Sequence, residues 1–332
     1  MSAPVGDWRP SVSAEGLRQR AALLQVARQF FAARRVTEVD TPVVVNAPVS
    51  DVHIHSATVR LSSDPSARDA VPPLYLHTSP EYAMKRLLAA GSGDIYQICH
   101  VVRGFECGRL HNPEFTLIEW YRVGFSLAGL MEEVEALVRA LLGASAPGSS
   151  EHISYRDAFR RELGLDPLTA PDAVLAQAAQ PLALGGTSAT GGGVSRDDWL
   201  ELLMGAIVGP RLGRGTLTFV HSYPASQAAL ARLDPGDPRV AQRFELYCAG
   251  IELANGFHEL ASAAEQRARF EADNAQRRRL GLPVFPLDER LLAALTRLPD
   301  CTGVALGFDR TLMLAVGAAS VAEVLPFPTA RA

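Results

Sequence analysis

Apolar positions along the chain switch between a helical and a two-residue period, and the switches mark its elements. Leu17, Ala21, Leu24, Ala27 and Phe31 recur at helical spacing, so residues 15–34 read as an amphipathic helix. The β-branched run VTEVDTPVVV follows, and Pro42 within it confines it to a sheet edge or a strand boundary. Ser79 to Ala90 predicts a second helix, with Pro80 in the first turn, where a missing N–H costs nothing. Two strand-like runs come next, DIYQICHVVR ending at Arg103 and EFTLIEWYR ending at Arg122. A loop with Gly104, Gly108 and Asn112–Pro113 joins them into a long-looped antiparallel hairpin. Leu127, Leu130, Met131, Val134, Leu137, Val138 and Leu141 then give a helical core stripe behind a Ser126 cap.

Residues 184–194, LGGTSATGGGV, are low in complexity and flexible in character. They either divide two domains or, as the strand-rich continuation favours, form a surface loop within one. FELYCAGIELA predicts a tight hairpin turning at Ala249–Gly250. Ser262-x-x-Glu265 opens a polar helix ending near Leu280, with Arg277, Arg278 and Arg279 on its solvated face. GVALGFDRTLMLAVG reads as a strand, a glycine turn and an apolar helix. Strands gathered in hairpins between helices predict an α+β fold, an antiparallel sheet flanked by helices, with residues 1–332 as one domain.

Composition narrows the function. The chain has 332 residues, 48% hydrophobic and 20% charged, enough for a sizeable core. A net charge of -4 lacks the basic surplus of a protein built to grip nucleic acid. Cys99, Cys107, Cys248 and Cys301 show no C-x-x-C spacing, which argues for reduced thiols and against a zinc site. No basic-then-apolar leader pattern opens the sequence, and no stretch approaches the ~20 apolar residues that span a bilayer. A soluble, cytoplasmic protein without a membrane partner is expected. Neither common nucleotide loop, G-x-G-x-x-G or G-x-x-x-x-G-K-[ST], is present.

The chemistry lies on the hairpins. Alternation puts Phe115, Leu117, Glu119 and Tyr121 on one face, near Arg103, Arg109 and His111. A flat aromatic with several cations suits a purine triphosphate. The turn at Ala249–Gly250 places Glu245 and Glu252 on a common face. Paired carboxylates repel unless a cation lies between them, and magnesium bridging ATP phosphates is the natural one. Strict alternation turns Asn255 away from Glu252, whereas a bulge at Gly256 would re-aim both Asn255 and Glu259. Gly303 and Gly307 admit close approach of a ligand, and Arg310 lies in the next helix's first turn, where the backbone dipole favours phosphate. His53-x-His55 reads as structural, and Asp309 as a neighbour that orients Arg310.

Five segments carry a family resemblance: TPVV around Pro42, TSPEYAMKRLL at 78–88, RGFECGRLHNPEFTLIEWY at 103–121, FELYCAGIELANGFHEL at 244–260 and GVALGFDR at 303–310. In this order, over nearly the whole chain, they resemble the catalytic domain of class II aminoacyl-tRNA synthetases of the lysyl branch. They resemble more closely its short relatives, the elongation factor P–lysine lysyltransferases. A first helix starting near residue 15 leaves no room for an N-terminal anticodon-binding barrel.

The resemblance implies ATP-dependent adenylation of lysine or (R)-β-lysine, then transfer to a lysine ε-amino group on elongation factor P, by a homodimer that does not use tRNA. It implies that Arg103 bridges the α-phosphate and the amino-acid carboxylate, and that Phe115 stacks on adenine beside His111 and Asn112. Gly104, Phe105, Leu253 and Gly307 would complete the nucleotide site, Arg310 would grip the terminal phosphate, and Glu245 and Glu252 would hold magnesium. Ser79, Pro80 and Glu81 would meet the amino end, while Tyr121, Asn255 and Glu259 would read the side-chain ammonium. Two departures stand out. Phe105 occupies the place of the family's Arg-x-Glu carboxylate, so either the loop shifts by one residue to use Glu106 or the backbone makes the adenine contact. Ala305 interrupts a Gly-x-Gly-x-Gly run and reshapes the amino-acid pocket, a change shared by the short group. The competing expectations are a compact lysyl-tRNA synthetase and a non-catalytic binding module.

Overall fold

The computed structural model describes residues 8–62, 71–182 and 194–332, so the expected loop at 184–194 lies outside them apart from Val194. In chain order the main elements are α1 (Ala14–Ala33), β1 (Thr37–Glu38), β2 (Val44–Val45), β3 (Thr58–Val59), β4 (Leu74–Leu76) and α2 (Glu81–Ala89). Next come β5 (Ile95–Val102), β6 (Glu114–Val123), α3 (Leu127–Leu142), β7 (Ser150–Ser154), α4 (Tyr155–Leu163), α5 (Asp172–Ala179) and α6 (Arg196–Leu203). The last are β8 (Leu217–Pro224), β9 (Val240–Cys248), β10 (Ile251–His258), α7 (Ala263–Arg279), α8 (Glu289–Leu295), β11 (Cys301–Gly307) and α9 (Phe308–Ala315).

An 8-stranded sheet runs in the order β1-β5-β6-β11-β10-β9-β8-β7. Its interior pairings are antiparallel, and only the edge pairs β1–β5 and β7–β8 are parallel. The Pro42 region thus behaves as expected: β1 is an edge strand, and β2 joins a small separate sheet with β4 and β3. Caps fix the helices. The Ser13 hydroxyl accepts from Gly16 N–H, and Ser126 does the same for Gly129. The second helix starts later than its sequence pattern suggests: Pro80 is its cap, and the Ser79 hydroxyl accepts from Glu81 N–H.

Strand alternation divides the sheet into two faces. Ile118, Trp120, Phe244, Leu246, Val304 and Leu306 point to one side, where Phe31 of α1, Leu130, Val134 and Leu137 of α3, and Phe308 and Leu312 of α9 cover them. Trp120 is fully buried there, and truncating such a side chain typically costs about 3–5 kcal/mol. Toward one end of the other face pack Tyr82, Met84, Leu88, Phe270, Leu291 and Leu295 from α2, α7 and α8. Toward the other end, α4, α5 and α6 pack with Tyr223 and Tyr247. A cleft remains over the middle strands β6, β11, β10 and β9.

The β9–β10 hairpin turns through Ala249 and Gly250 at φ 52 and 78, the left-handed pair that a two-residue turn requires. Glu252 pairs with Tyr247 as the turn dictates, but the register then slips, and Asn255 pairs with Glu245. The bulge therefore falls between Glu252 and Ala254, ahead of Gly256. It puts Glu252 and Asn255 on the same face. Gly256 instead answers to packing, because a Cβ there would lie 2.5 Å from the Phe244 ring. The arginine run also differs from a solvated face, because only Arg278 and Arg279 are exposed. Arg277 is buried, donates to the carbonyls of Pro283 (2.7 Å) and Asp51 (2.8 Å), and lies 4.1 Å over the Phe285 ring. It is the one residue of the run on the packed side of α7.

Candidate active site

Two cavities meet on the open face of the sheet. The larger, about 480 Å³, is lined by Ser79, Glu81, Glu119, Tyr121, Glu259 and Gly303 among others. The smaller, about 150 Å³, is lined by His111, Asn112, Phe115, Leu253, Gly307 and Arg310 among others. Ile54, Arg103, Asn255 and Ala305 border both. Register explains the junction, since Glu119, Ala305, Asn255 and Glu245 lie side by side on four neighbouring strands.

The floor of the larger cavity is a buried charge network. Glu119 accepts from the Ser79 hydroxyl at 2.8 Å and the Tyr121 hydroxyl at 2.7 Å. Lys85, with its side chain fully buried, lies 2.6 Å from both Glu81 and Glu259. The second oxygen of Glu259, Oε1, is buried without a hydrogen-bond partner among the described residues. Burial pushes the Glu119 carboxyl up to about 7, helped by repulsion from Glu81. Burial likewise pushes Glu259 up to about 8, although Lys85 pulls it back. For Lys85 burial opposes the charge, but Glu259 and Glu81 outweigh it and hold the ammonium above its ordinary range. Gly303 makes the arrangement possible: a Cβ there would lie 2.3 Å from the Tyr121 ring and 2.5 Å from Glu259 Oε1.

In the smaller cavity the Arg103 guanidinium sits 5.1 Å over the Phe115 ring and donates to the Thr78 carbonyl at 3.2 Å. Arg310, in the first turn of α9, donates to the carbonyls of Leu110 and Glu252 and meets His111 Nε2 at 2.7 Å. Burial and the Arg310 charge hold the His111 imidazole below its usual range, so it faces the guanidinium as a neutral acceptor. Asn112 borders the cavity while donating to Glu114 O and accepting from Thr329 N, which ties the C-terminal segment to the rim. Arg109 contacts the Ala319 carbonyl at 3.3 Å.

Several expected residues sit elsewhere. Phe105 is 88% exposed and set edge-on to His55. Its φ of 66 turns the loop so that Glu106 lines the smaller cavity, 4.0 Å from Arg103. The carboxylate one residue later, Glu106, is thus the one presented to the smaller cavity. Gly104 donates its N–H to His55 O at 2.7 Å and does not border the cavity. Pro80 faces a separate small hollow. Asp309 does not orient Arg310; it accepts from Thr116 N–H and from Arg20, locking α9 to β6 and α1.

The carboxylate pair expected to hold magnesium is presented unevenly. Glu252 borders the smaller cavity with its side chain 41% exposed, 3.7 Å from Arg310. Glu245 borders neither cavity, and its two oxygens accept from Arg243 (2.5 Å) and Tyr247 (2.6 Å). Among the described residues no three His, Cys, Asp or Glu side chains cluster as a metal cage. His53 pairs with Glu201 at 3.3 Å.

Lys85 and Arg243 are charged residues packed into the site that the sequence pattern alone does not reveal. The Glu81-x-x-x-Lys85 spacing is readable as an ion pair on one helix face, but nothing local says that both residues are buried against Glu259. Arg243 donates to Asn255 Oδ1 at 3.2 Å as well as to Glu245, a contact that exists only because of the bulge.

The chain matches the family profile described as tRNA synthetases class II (D, K and N) over residues 2–331. An "Elongation factor P--(R)-beta-lysine ligase" of Vibrio cholerae is 49% identical over 327 residues, covering 98% of this chain and 99% of that protein. The proteins of the same name from Hamiltonella defensa and Yersinia enterocolitica are each 49% identical, covering 98% of this chain and 98% of their own length.

Proposed function

We propose that this chain, which belongs to the class II tRNA synthetases (D, K and N), is a ligase that activates a lysine-type amino acid with ATP and transfers it to a lysine of elongation factor P. The observation that carries this reading is the floor of the larger cavity. Glu81 and Glu259 share one buried ammonium, that of Lys85, with the buried carboxyl of Glu119 beside them and a cation-lined pocket reached through Arg103. When ionised, the three carboxylates leave two negative charges unbalanced. An amino acid with two ammonium groups balances them, and a competitor lacking one leaves a buried carboxylate unpaired.

In the reaction Arg103 holds the substrate carboxylate and the α-phosphate together. The carboxylate attacks phosphorus, and pyrophosphate leaves toward Arg310. The acceptor amine then attacks the adenylate carbonyl and expels AMP. No protein nucleophile is needed; positioning and charge neutralisation supply the rate. Phe115 stacks on the adenine, with Glu106 and Asn112 at its rim. Bound magnesium would clamp the phosphates, with Glu252 presented to hold it and Glu245 joining once released by Arg243 or Tyr247. The amino acid is (R)-β-lysine, the substrate in the relatives' names, and Ala305 adds a methyl to the pocket opposite Asn255 and Glu119. The acceptor is protein, not tRNA, and the enzyme is a cytoplasmic homodimer in which α1 and the β1 edge form the contact.

The test is mass spectrometry of elongation factor P after incubation with enzyme, ATP and (R)-β-lysine or α-lysine. The expected result is a one-residue mass gain, faster with (R)-β-lysine. Stable charging of tRNA with no change in the protein would overturn the reading.

A further inference from the structure

The family resemblance gives Lys85 no role, yet it is among the most deeply buried side chains of the molecule. Its ammonium is fully enclosed and, among the described residues, pairs with Glu81 and Glu259, each at 2.6 Å. Glu81 lies one turn back on α2, and Glu259 follows the end of β10. A buried charge with two strong partners holds all three groups in place, because displacing any one leaves uncompensated charge in a dry site. Lys85 does not line the larger cavity, whereas Glu81 and Glu259 both do. It therefore acts on a ligand only through them.

Other groups around this centre push the opposite way. Glu119 repels Glu259, and the buried Tyr121 and Cys301 offer Glu259 no positive charge. Among the described titratable groups coupled to Glu259, Lys85 is the cation.

We propose that Lys85 is a positioning residue for amino-acid specificity: from behind the pocket it holds Glu81 and Glu259 aimed and draws Glu259 toward its charged form, ready for the two ammonium groups of the substrate. The inference rests on the functional reading above and adds to it the element that sets the pocket's charge. With Lys85 absent, neither carboxylate is held in place and Glu259 takes up a proton more readily, and a protonated carboxyl no longer balances an ammonium. The loss falls on the amino acid and spares ATP, whose pocket lies beyond Arg103.

Lys85→Met and Lys85→Arg test this by ATP–pyrophosphate exchange with (R)-β-lysine between pH 6 and 9. In K85M the KM for ATP stays within about twofold of wild type. Amino-acid kcat/KM at pH 7 falls by about tenfold or more, and its acid limb moves to higher pH by about one unit or more. K85R, which restores the charge, returns the limb toward the wild-type position. An unmoved limb in folded K85M, or an equal loss in the KM for ATP, overturns the proposal.

If K85M does not fold, Lys85→Met combined with Glu81→Gln and Glu259→Gln removes the whole triad, a replacement that buried sites tolerate better than losing one member. Its calorimetric Kd for (R)-β-lysine then equals that of the Glu81→Gln, Glu259→Gln double variant. A further weakening of about threefold or more overturns the proposal. A wild-type chain that exchanges with no diamino acid overturns both readings; a normal wild type with an unmoved K85M limb overturns this one only.

Discussion

At the scale of single residues, protons are the most direct probe of the pocket. Glu119 and Glu259 are pushed to about 7 and about 8 by burial, so both hold protons part of the time at neutral pH. Ammonium groups entering the pocket favour the ionised forms and expel those protons. Because these carboxyls are raised, falling pH protonates them and weakens amino-acid binding, while rising pH from 6 to 8 strengthens it. Calorimetry in buffers of different ionisation heat should show net proton release on binding; net uptake would contradict the assignment. Glu259→Gln keeps the shape but removes the charge, and kcat/KM for the amino acid should fall about 10²–10³-fold, or roughly 3–4 kcal/mol, with little change in the KM for ATP. Gly303→Ala should abolish amino-acid activation outright, because its methyl lands within 2.5 Å of Tyr121 and Glu259 atoms. Pyrophosphate exchange reads both variants.

At the scale of elements, one register slip decides which side chains reach the cleft. The turn chemistry of Ala249–Gly250 and the alternation of the flanking strands were legible in the sequence, and so was Glu252 on the cleft face. The position of the bulge was not. A bulge answers to the packing of both neighbouring strands, and Gly256, the local signal, is glycine because of the Phe244 ring beneath it. Deleting Leu253 would restore strict pairing and turn Asn255 away from Arg243 and Ala305. We expect that deletion to eliminate pyrophosphate exchange; activity retained at wild-type level would show that Asn255 does not need its present direction. The Arg103–Asn112 loop behaves similarly. Its length and glycines were readable, but whether Phe105 or Glu106 entered the site depended on a single left-handed residue.

At the scale of the whole molecule, sequence and structure agree on the layers and differ on the long-range charges. Local patterns predicted α1, α2, α3, α7, α9 and the two hairpins because each obeys a local rule, and left α4, α5, α6, α8, β7 and β8 unassigned. Lys85–Glu259, Arg243–Asn255 and Arg20–Asp309 join residues distant along the chain, and no local rule pairs them. Arg103 is where the two cavities become one site, so Arg103→Ala should weaken the use of both substrates. We expect a loss of about 10²–10³-fold in kcat, with KM raised for ATP and amino acid alike. A loss confined to one substrate would mean that the cavities work separately.

The two-faced strands have a further consequence, for how such a protein can change over generations. In β6 and β11 every second side chain belongs to the core and the ones between belong to the cleft. A single-codon insertion or deletion within either strand would send oily side chains into the pocket and the cleft-facing residues, Glu119 of β6 among them, into the interior together. Length variation among descendants should therefore collect in the connecting loops, while these strands vary by substitution alone.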